Sequence, residues 1–347
     1  MGTMKQTAPI FSLHGIIGKA FSGLVDVQLA KREGRNNFSA LRIISLEVVD
    51  YETIKKEVWF LNWLSHPNLA SIEESVTVGF DVYIFSSYYD LVFSSAGSVL
   101  HIIQTHCKYG LPEKAIAQIL KNLLLAVQYL HGQKIVHRSI RCSHVLLASN
   151  GQVKLSGLRN CAFLKHNHLT GAKNVLHDFN EDLVEGLLWL APEVLKQDLN
   201  GYGLLSDVYS IGITLCEMAN GFPPFFDMDR LQMLYEKSKG TSPRLLDCTT
   251  LVEDENFVSN QNQRRNRRFT EHFHAFANIC LKPSPEHRLP ILKLLSHTFV
   301  RSIKKNRSFL SLIPNISPVH KDKAEMMPEV NASRSHSPAA LSWRFEN

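Results

Sequence analysis

The sequence predicts an α+β fold of two lobes, a small β-rich N-terminal lobe and a large helical C-terminal lobe. Three observations carry this expectation. Short apolar clusters separated by polar breaks fill roughly the first hundred residues. From about residue 112 onward, apolar residues recur at helical spacing. The chain has 347 residues and 44% hydrophobic content, enough for one large two-lobed domain with a tail left over.

The N-terminal clusters are Leu24-Val25, residues 41–44 and residues 82–85. One helix interrupts them, with Ile54, Val58 and Leu61 on its apolar face and Glu57 beside them. Pro112 opens a long helix whose apolar face includes Ile116, Ile119, Leu123, Val127 and Leu130. Gly132 is expected to close it with a positive φ. Val145-Leu146-Leu147 and Val153-Lys154-Leu155 flank Asn150-Gly151, which signals a hairpin. Val208, Ile211, Leu215 and Met218 mark another helix, ended by Asn220-Gly221. Two further helices are expected over residues 273–281 and 291–299. The boundaries that follow are an N-terminal tail over 1–10, a domain over 11–300 and a largely disordered tail over 301–347. In that last stretch prolines, serines and charges replace periodicity.

Composition excludes several classes. Six cysteines form no C-x-x-C pair, so no zinc or disulfide framework is expected and a reducing compartment fits. A net charge of +6 is too small to argue for nucleic acid. The first residues lack the apolar core of a signal peptide, and Gln6 departs from the myristoylation pattern. No apolar run approaches the ~18 residues of a spanning helix, so no membrane partner is expected. Arg264, Arg265, Arg267 and Arg268 lie in a polar stretch. It reads as a solvated loop, or else as a nuclear-import or acidic-partner patch.

The chemistry concentrates around His137-Arg138-Ser139-Ile140-Arg141-Cys142-Ser143-His144. This run resembles the protein-kinase loop H-R-D-L-x-x-x-N with its frame kept and its reactive residues exchanged. Ser139 stands at the base Asp and His144 at the metal-binding Asn. Where D-F-G should supply a second metal ligand, the chain has Gly157-Leu158-Arg159. A serine hydroxyl is a poor base at neutral pH, and such bases contribute about 10²–10⁴ in rate. Magnesium wants hard oxygen ligands. Gly157 offers none, and the imidazole of His144 suits zinc or copper better. Ser139, His144 and Gly157 are therefore degenerate positions, and neither catalytic residues nor a bound metal are expected. An atypical kinase would need a displaced acid near Ser139, and the loop holds none.

Gly18-Lys19-Ala20-Phe21-Ser22-Gly23-Leu24-Val25 resembles the kinase glycine-rich loop with Ala20 in place of the second glycine. Arg42 stands where V-A-I-K has its lysine, with a larger, planar cation. Glu57 is positioned to pair with it; the alternative is two separate surface charges. His137, Arg138 and Asp207 read as frame residues. Glu193 in Ala191-Pro192-Glu193 matches A-P-E, and Arg288 lies where its buried ion-pair partner belongs. The expected nucleotide contacts are Gly18, Lys19, Ala20, Gly23, Val25, Arg42, Arg141, His144 and Arg159. Guanidinium groups can neutralise a triphosphate, so ATP could be held without magnesium. Alternatively, these cations pair within the protein or face water. Between residues 157 and 193 only Thr170 carries an aliphatic hydroxyl, which argues against control by phosphorylation there.

Together these motifs resemble the sterile-20-related kinase adaptor pseudokinases across roughly residues 12–305. His137-Arg138-Ser139, Ser143-His144, Gly157-Leu158-Arg159, Val175-Leu176-His177-Asp178-Phe179, Trp189-Leu190-Ala191-Pro192-Glu193 and Ser206-Asp207-Val208-Tyr209-Ser210 carry the resemblance. It implies an inactive kinase fold in an active-like form that binds and allosterically activates a serine/threonine kinase of the liver kinase B1 type. It also implies a helical-repeat scaffold of the mouse-protein-25 type as third member, and retention of the partner kinase in the cytoplasm, with both cytoplasm and nucleus as locations. The family's tail inserts Trp-Glu-Phe into the scaffold. Here Trp343 and Phe345 flank Arg344, which reverses the middle charge, and two residues follow. A bare interaction domain that takes no nucleotide is the other alternative.

Overall fold

The computed structural model describes residues 10–88, 97–148, 151–164, 175–251, 266–302, 312–313 and 341–342. They form an α+β fold divided into two compact units, one rich in strands and one in helices.

The smaller unit is an antiparallel sheet with one helix. Strands β1 (Phe11–Ala20), β2 (Val25–Arg32), β3 (Phe38–Ser45), β4 (Ile72–Val78) and β5 (Asp81–Ser87) follow the order β1-β2-β3-β5-β4. Helix α1 (Tyr51–Trp63) begins at Asp50, whose carboxylate accepts from the Thr53 amide at 3.0 Å. That cap satisfies one of the orphan donors of the first turn. The buried face of α1, including Ile54 and Val58, meets Val25, Ile44, Val82 and Ile84 of the sheet. The tail contributes Leu341–Ser342, a short strand β10 antiparallel to β4.

The larger unit is helical. It holds α2 (Val99–Thr105), α3 (Glu113–Gly132), α4 (Pro192–Leu195), α5 (Leu205–Asn220), α6 (Arg230–Lys239), α7 (Glu271–Cys280), α8 (Ile291–Leu295) and α9 (Thr298–Arg301). Strand β6 (Ile135–Val136) pairs with β9 (Ala162–Phe163). Strand β7 (Val145–Leu147) pairs with β8 (Val153–Leu155) as the expected hairpin, whose residues Leu146–Gln152 group with the smaller unit. Every residue of α5 from Ser206 to Asn220 is buried, so this helix lies within the core of the unit, its polar residues Asp207 and Glu217 included. Gly221 ends it in the left-handed conformation.

Two details differ from the sequence reading. α3 ends at Gly132 as expected, but Gly132 itself is helical and the positive φ falls on Lys134. The helix expected over 291–299 is two helices, because the His297 ring caps the second one: Nδ1 accepts from the Phe299 amide at 3.2 Å. Among the described residues, no helix is long and apolar enough to cross a membrane.

Candidate functional site

In the smaller unit, β1 and β2 join through a 3-10 turn at Phe21–Gly23. Ala20 packs its methyl against the core, and Gly23 turns the chain back at φ 92°. Phe21 takes φ 49° and buries its ring with Val25, Ile54 and Val58. A hydrophobic side chain therefore anchors the tip of the glycine-rich turn. Gly18 lies opposite Val27 at an irregularity in the strand pair, and Lys19 is exposed with its ammonium 3.6 Å from Asp26. Arg42 on β3 donates to Glu57 on α1 at 2.8 Å. Both are largely buried, and the expected ion pair is formed rather than two separate surface charges.

In the larger unit, Asp207 organises the loop that carries Ser139. Its buried carboxylate accepts from the amides of His137 and Arg138 and from His131 Nε2, each at 2.9 Å. Burial alone would push this carboxyl up. The hydrogen bond and charge of His131 hold it below the usual range. His137 donates from Nε2 to the Ser156 carbonyl at 3.0 Å and accepts at Nδ1 from the Ser139 amide. Burial pulls its pKa down to about 4, so the ring is neutral and structural.

His144 fills the centre of the site. Its Nδ1 donates to the Ser139 carbonyl at 2.7 Å, with the Ser139 hydroxyl 3.2 Å from the same nitrogen. Nε2 accepts from Arg141 Nη2 at 3.3 Å. These partners assign the neutral Nδ1–H tautomer, and burial followed by the Arg141 charge holds its pKa well below 6.5. The nitrogen facing Ser139 is therefore a donor and cannot take the hydroxyl proton. Gly157 has φ 81°, and a Cβ there would fall against Nδ1, with Cγ and Cε1 each 2.8 Å away. The imidazole occupies the space that a side chain at position 157 would need.

The arginines of this site are paired. Arg159 Nη2 lies 2.8 Å from Glu185 Oε1, and Arg141 Nη2 lies 3.2 Å from Oε2 of the same carboxylate. Arg141 also stacks over the Trp189 ring at 5.8 Å. Trp189 Nε1 donates to Glu217 at 2.9 Å, and Glu217 also accepts from the Cys142 amide; burial raises its pKa. Arg138 donates to Asp178 at 2.8 Å, to the Tyr202 hydroxyl and to the Asn160 carbonyl. Arg288 forms a bidentate pair with Glu193 at 2.7 and 2.8 Å and bonds three backbone carbonyls. Lys237 donates to the carbonyls of Leu187, Leu188 and Leu190, while burial lowers its pKa to about 7.

Ser139, Arg141 and Gly157 thus meet at His144, and Arg141 meets Arg159 at Glu185. Gly18, Lys19, Ala20, Gly23, Val25 and Arg42 are arranged along the first three strands of the smaller unit. Trp343 and Phe345 lie outside the described residues, as do Thr170, Arg264 and Arg265. Sequence reasoning missed Phe21, Glu185, Trp189, Glu217 and Lys237. An acid followed four residues later by tryptophan, just before Ala-Pro-Glu, is the only local signal for Glu185. Among the described residues no group of three His, Cys, Asp or Glu could hold a metal ion.

The chain matches the protein kinase domain over residues 11–300. It is similar to STE20-related kinase adapter protein alpha of Bos taurus, 36% identical over 327 residues, covering 86% of each chain. The human alpha protein is 36% identical over 86% of this chain and 74% of its own length. The human beta protein is 32% identical over 92% of this chain and 82% of its own.

Two outcomes follow from this geometry. Gly157→Ala should destabilise the fold by about 1 kcal/mol or more, through crowding and a positive φ. In a His144→Ala background its cost should shrink to the backbone strain, a coupling that a double-mutant cycle in urea would read. Stability should also fall as pH drops from 6.5 toward 4. His137 and His144 have folded pKa values below the unfolded value, so only the unfolded chain takes up those protons in this window. Each contributes up to about 1.4 kcal/mol per pH unit, and His144→Gln should flatten the dependence of the unfolding midpoint.

Proposed function

The chain belongs to the STE20-related kinase adapter family, built on a protein kinase domain, and on that premise we propose that it is an adaptor without phosphotransfer activity. It binds a serine/threonine kinase of the liver kinase B1 type and activates that partner allosterically. The observation that supports this best is the Ser139–His144–Gly157 cluster. The hydroxyl at the base position faces an N–H, and an imidazole fills the place of the metal-binding side chain. Phosphoryl transfer needs a positioned base and metal ions that bridge the phosphates, and losing the metal forfeits several kcal/mol of charge stabilisation.

What remains is a shape. Carboxylates hold residues 178–193 without a phosphate, so in this reading a partner meets an active-like surface without phosphorylation of the segment. In this reading Gly18, Lys19, Ala20, Gly23, Val25 and Arg42, with Arg141, His144 and Arg159, take ATP without magnesium. A helical-repeat scaffold of the mouse-protein-25 type is the third member, met by Trp343 and Phe345, and the assembly keeps the partner kinase in the cytoplasm.

The purified full chain should transfer no phosphate to itself or to a generic protein substrate, and should stimulate a co-purified kinase of that type several-fold. Phosphotransfer by the chain alone, abolished by Arg42→Ala, would overturn this reading.

A further inference from the structure

Arg141 and Arg159 are the two cations of the larger unit assigned above to phosphates, and both are already bound to one anion. Glu185 offers one carboxylate oxygen to each guanidinium, at 2.8 and 3.2 Å, and its backbone carbonyl accepts from Arg141 Nη1 at 3.1 Å. The side chains are 15%, 10% and 29% exposed for Arg141, Arg159 and Glu185, so the contacts are screened less than surface pairs. One carboxylate shared between two guanidiniums reproduces the charge-assisted geometry with which arginines take phosphoryl oxygens. Arg141 is further fixed by Trp189, and its buried Nε has no hydrogen-bond partner. One donor of this guanidinium therefore remains unmatched.

We propose that Glu185 is a self-supplied anion that occupies the Arg141–Arg159 pair and so gates the binding of a nucleotide's phosphates. This rests on the reading of those arginines as phosphate contacts. Phosphate oxygens and the Glu185 carboxylate compete for the same donors, and the two anions repel. Nucleotide and the 3-10 turn at Glu181–Gly186 are then linked with opposite sign: binding releases the turn, and an ordered turn weakens binding.

The test uses the full chain in EDTA, with ATP and inorganic tripolyphosphate as probes and isothermal titration as readout. Glu185→Gln keeps the shape and removes the charge. It should bind both probes about 10- to 100-fold more tightly than the unchanged protein, the worth of a charge-assisted hydrogen bond. Adding Arg159→Gln should cancel the gain. Equal affinities for the folded Glu185→Gln and unchanged proteins would overturn the proposal, as would binding of neither probe by any variant. If Glu185→Gln fails to fold, Glu185→Asp serves, because its shorter carboxylate cannot span both arginines; it should still gain several-fold, and an unchanged affinity overturns the proposal. Stimulation of the partner kinase, measured on the same preparations, separates the two readings. Its absence beside a clear gain in affinity would count against the adaptor function alone.

Discussion

A guanidinium taken out of water must be given an anion, and four arginines impose that condition on a single stretch of the larger unit. Arg138 takes Asp178, Arg141 and Arg159 share Glu185, and Arg288 takes Glu193. All three acids lie between residues 178 and 193, so the stretch is tied to the rest of the unit at three points. The ties differ in strength. Arg288 and Glu193 are almost fully buried with both oxygens engaged, and breaking such a pair costs about 3–5 kcal/mol. Asp178 is 57% exposed, so its contact with Arg138 is screened, and the Tyr202 hydroxyl and Asn160 carbonyl share the work of holding that arginine. Lys237 adds a fourth hold by bonding three carbonyls of residues 187–190. In enzymes of this fold, phosphate charge commonly orders the corresponding segment. Here the chain's own carboxylates supply the charge.

The imidazole of His144 fills the centre of the site. The ring would press on any side chain that stood at position 157. With glycine there, the ring fits. Its Nδ1–H then satisfies the Ser139 carbonyl, its Nε2 receives Arg141, and Arg141 reaches Glu185. Together these contacts form one hydrogen-bonded chain from Ser139 through His144 and Arg141 to Glu185. A divalent cation entering this space would meet two guanidiniums and a neutral imidazole whose only lone pair is already used.

Much of this was legible in the sequence, for a definite reason. Residues in short motifs carry their neighbours with them, so Ser139, His144, Gly157, Arg42, Glu57, Glu193 and Arg288 could be placed by register alone. Periodicity likewise located α1, α3 and α5. What could not be read depends on chain segments meeting in space. Glu185 lies in no motif, and its meaning comes from two arginines that are 44 and 26 residues away along the chain. The burial of Phe21 required knowing that the turn folds inward on α1. Gly132 suggested a helix end by residue type, and α3 does end on it, yet the left-handed residue is Lys134. The two helices near residue 297 were merged because their apolar spacing is continuous, and only the histidine cap separates them.

Internal charge pairs order residues 178–193. Amide hydrogen exchange on the full, unphosphorylated chain, with no nucleotide and no partner, tests it most directly. The pairs predict slow exchange from Leu183 to Val194, rising to unprotected rates only when Arg288 or Glu193 is replaced. Exchange at the rate of an unstructured peptide, slowed only after a nucleotide or partner kinase is added, would contradict it.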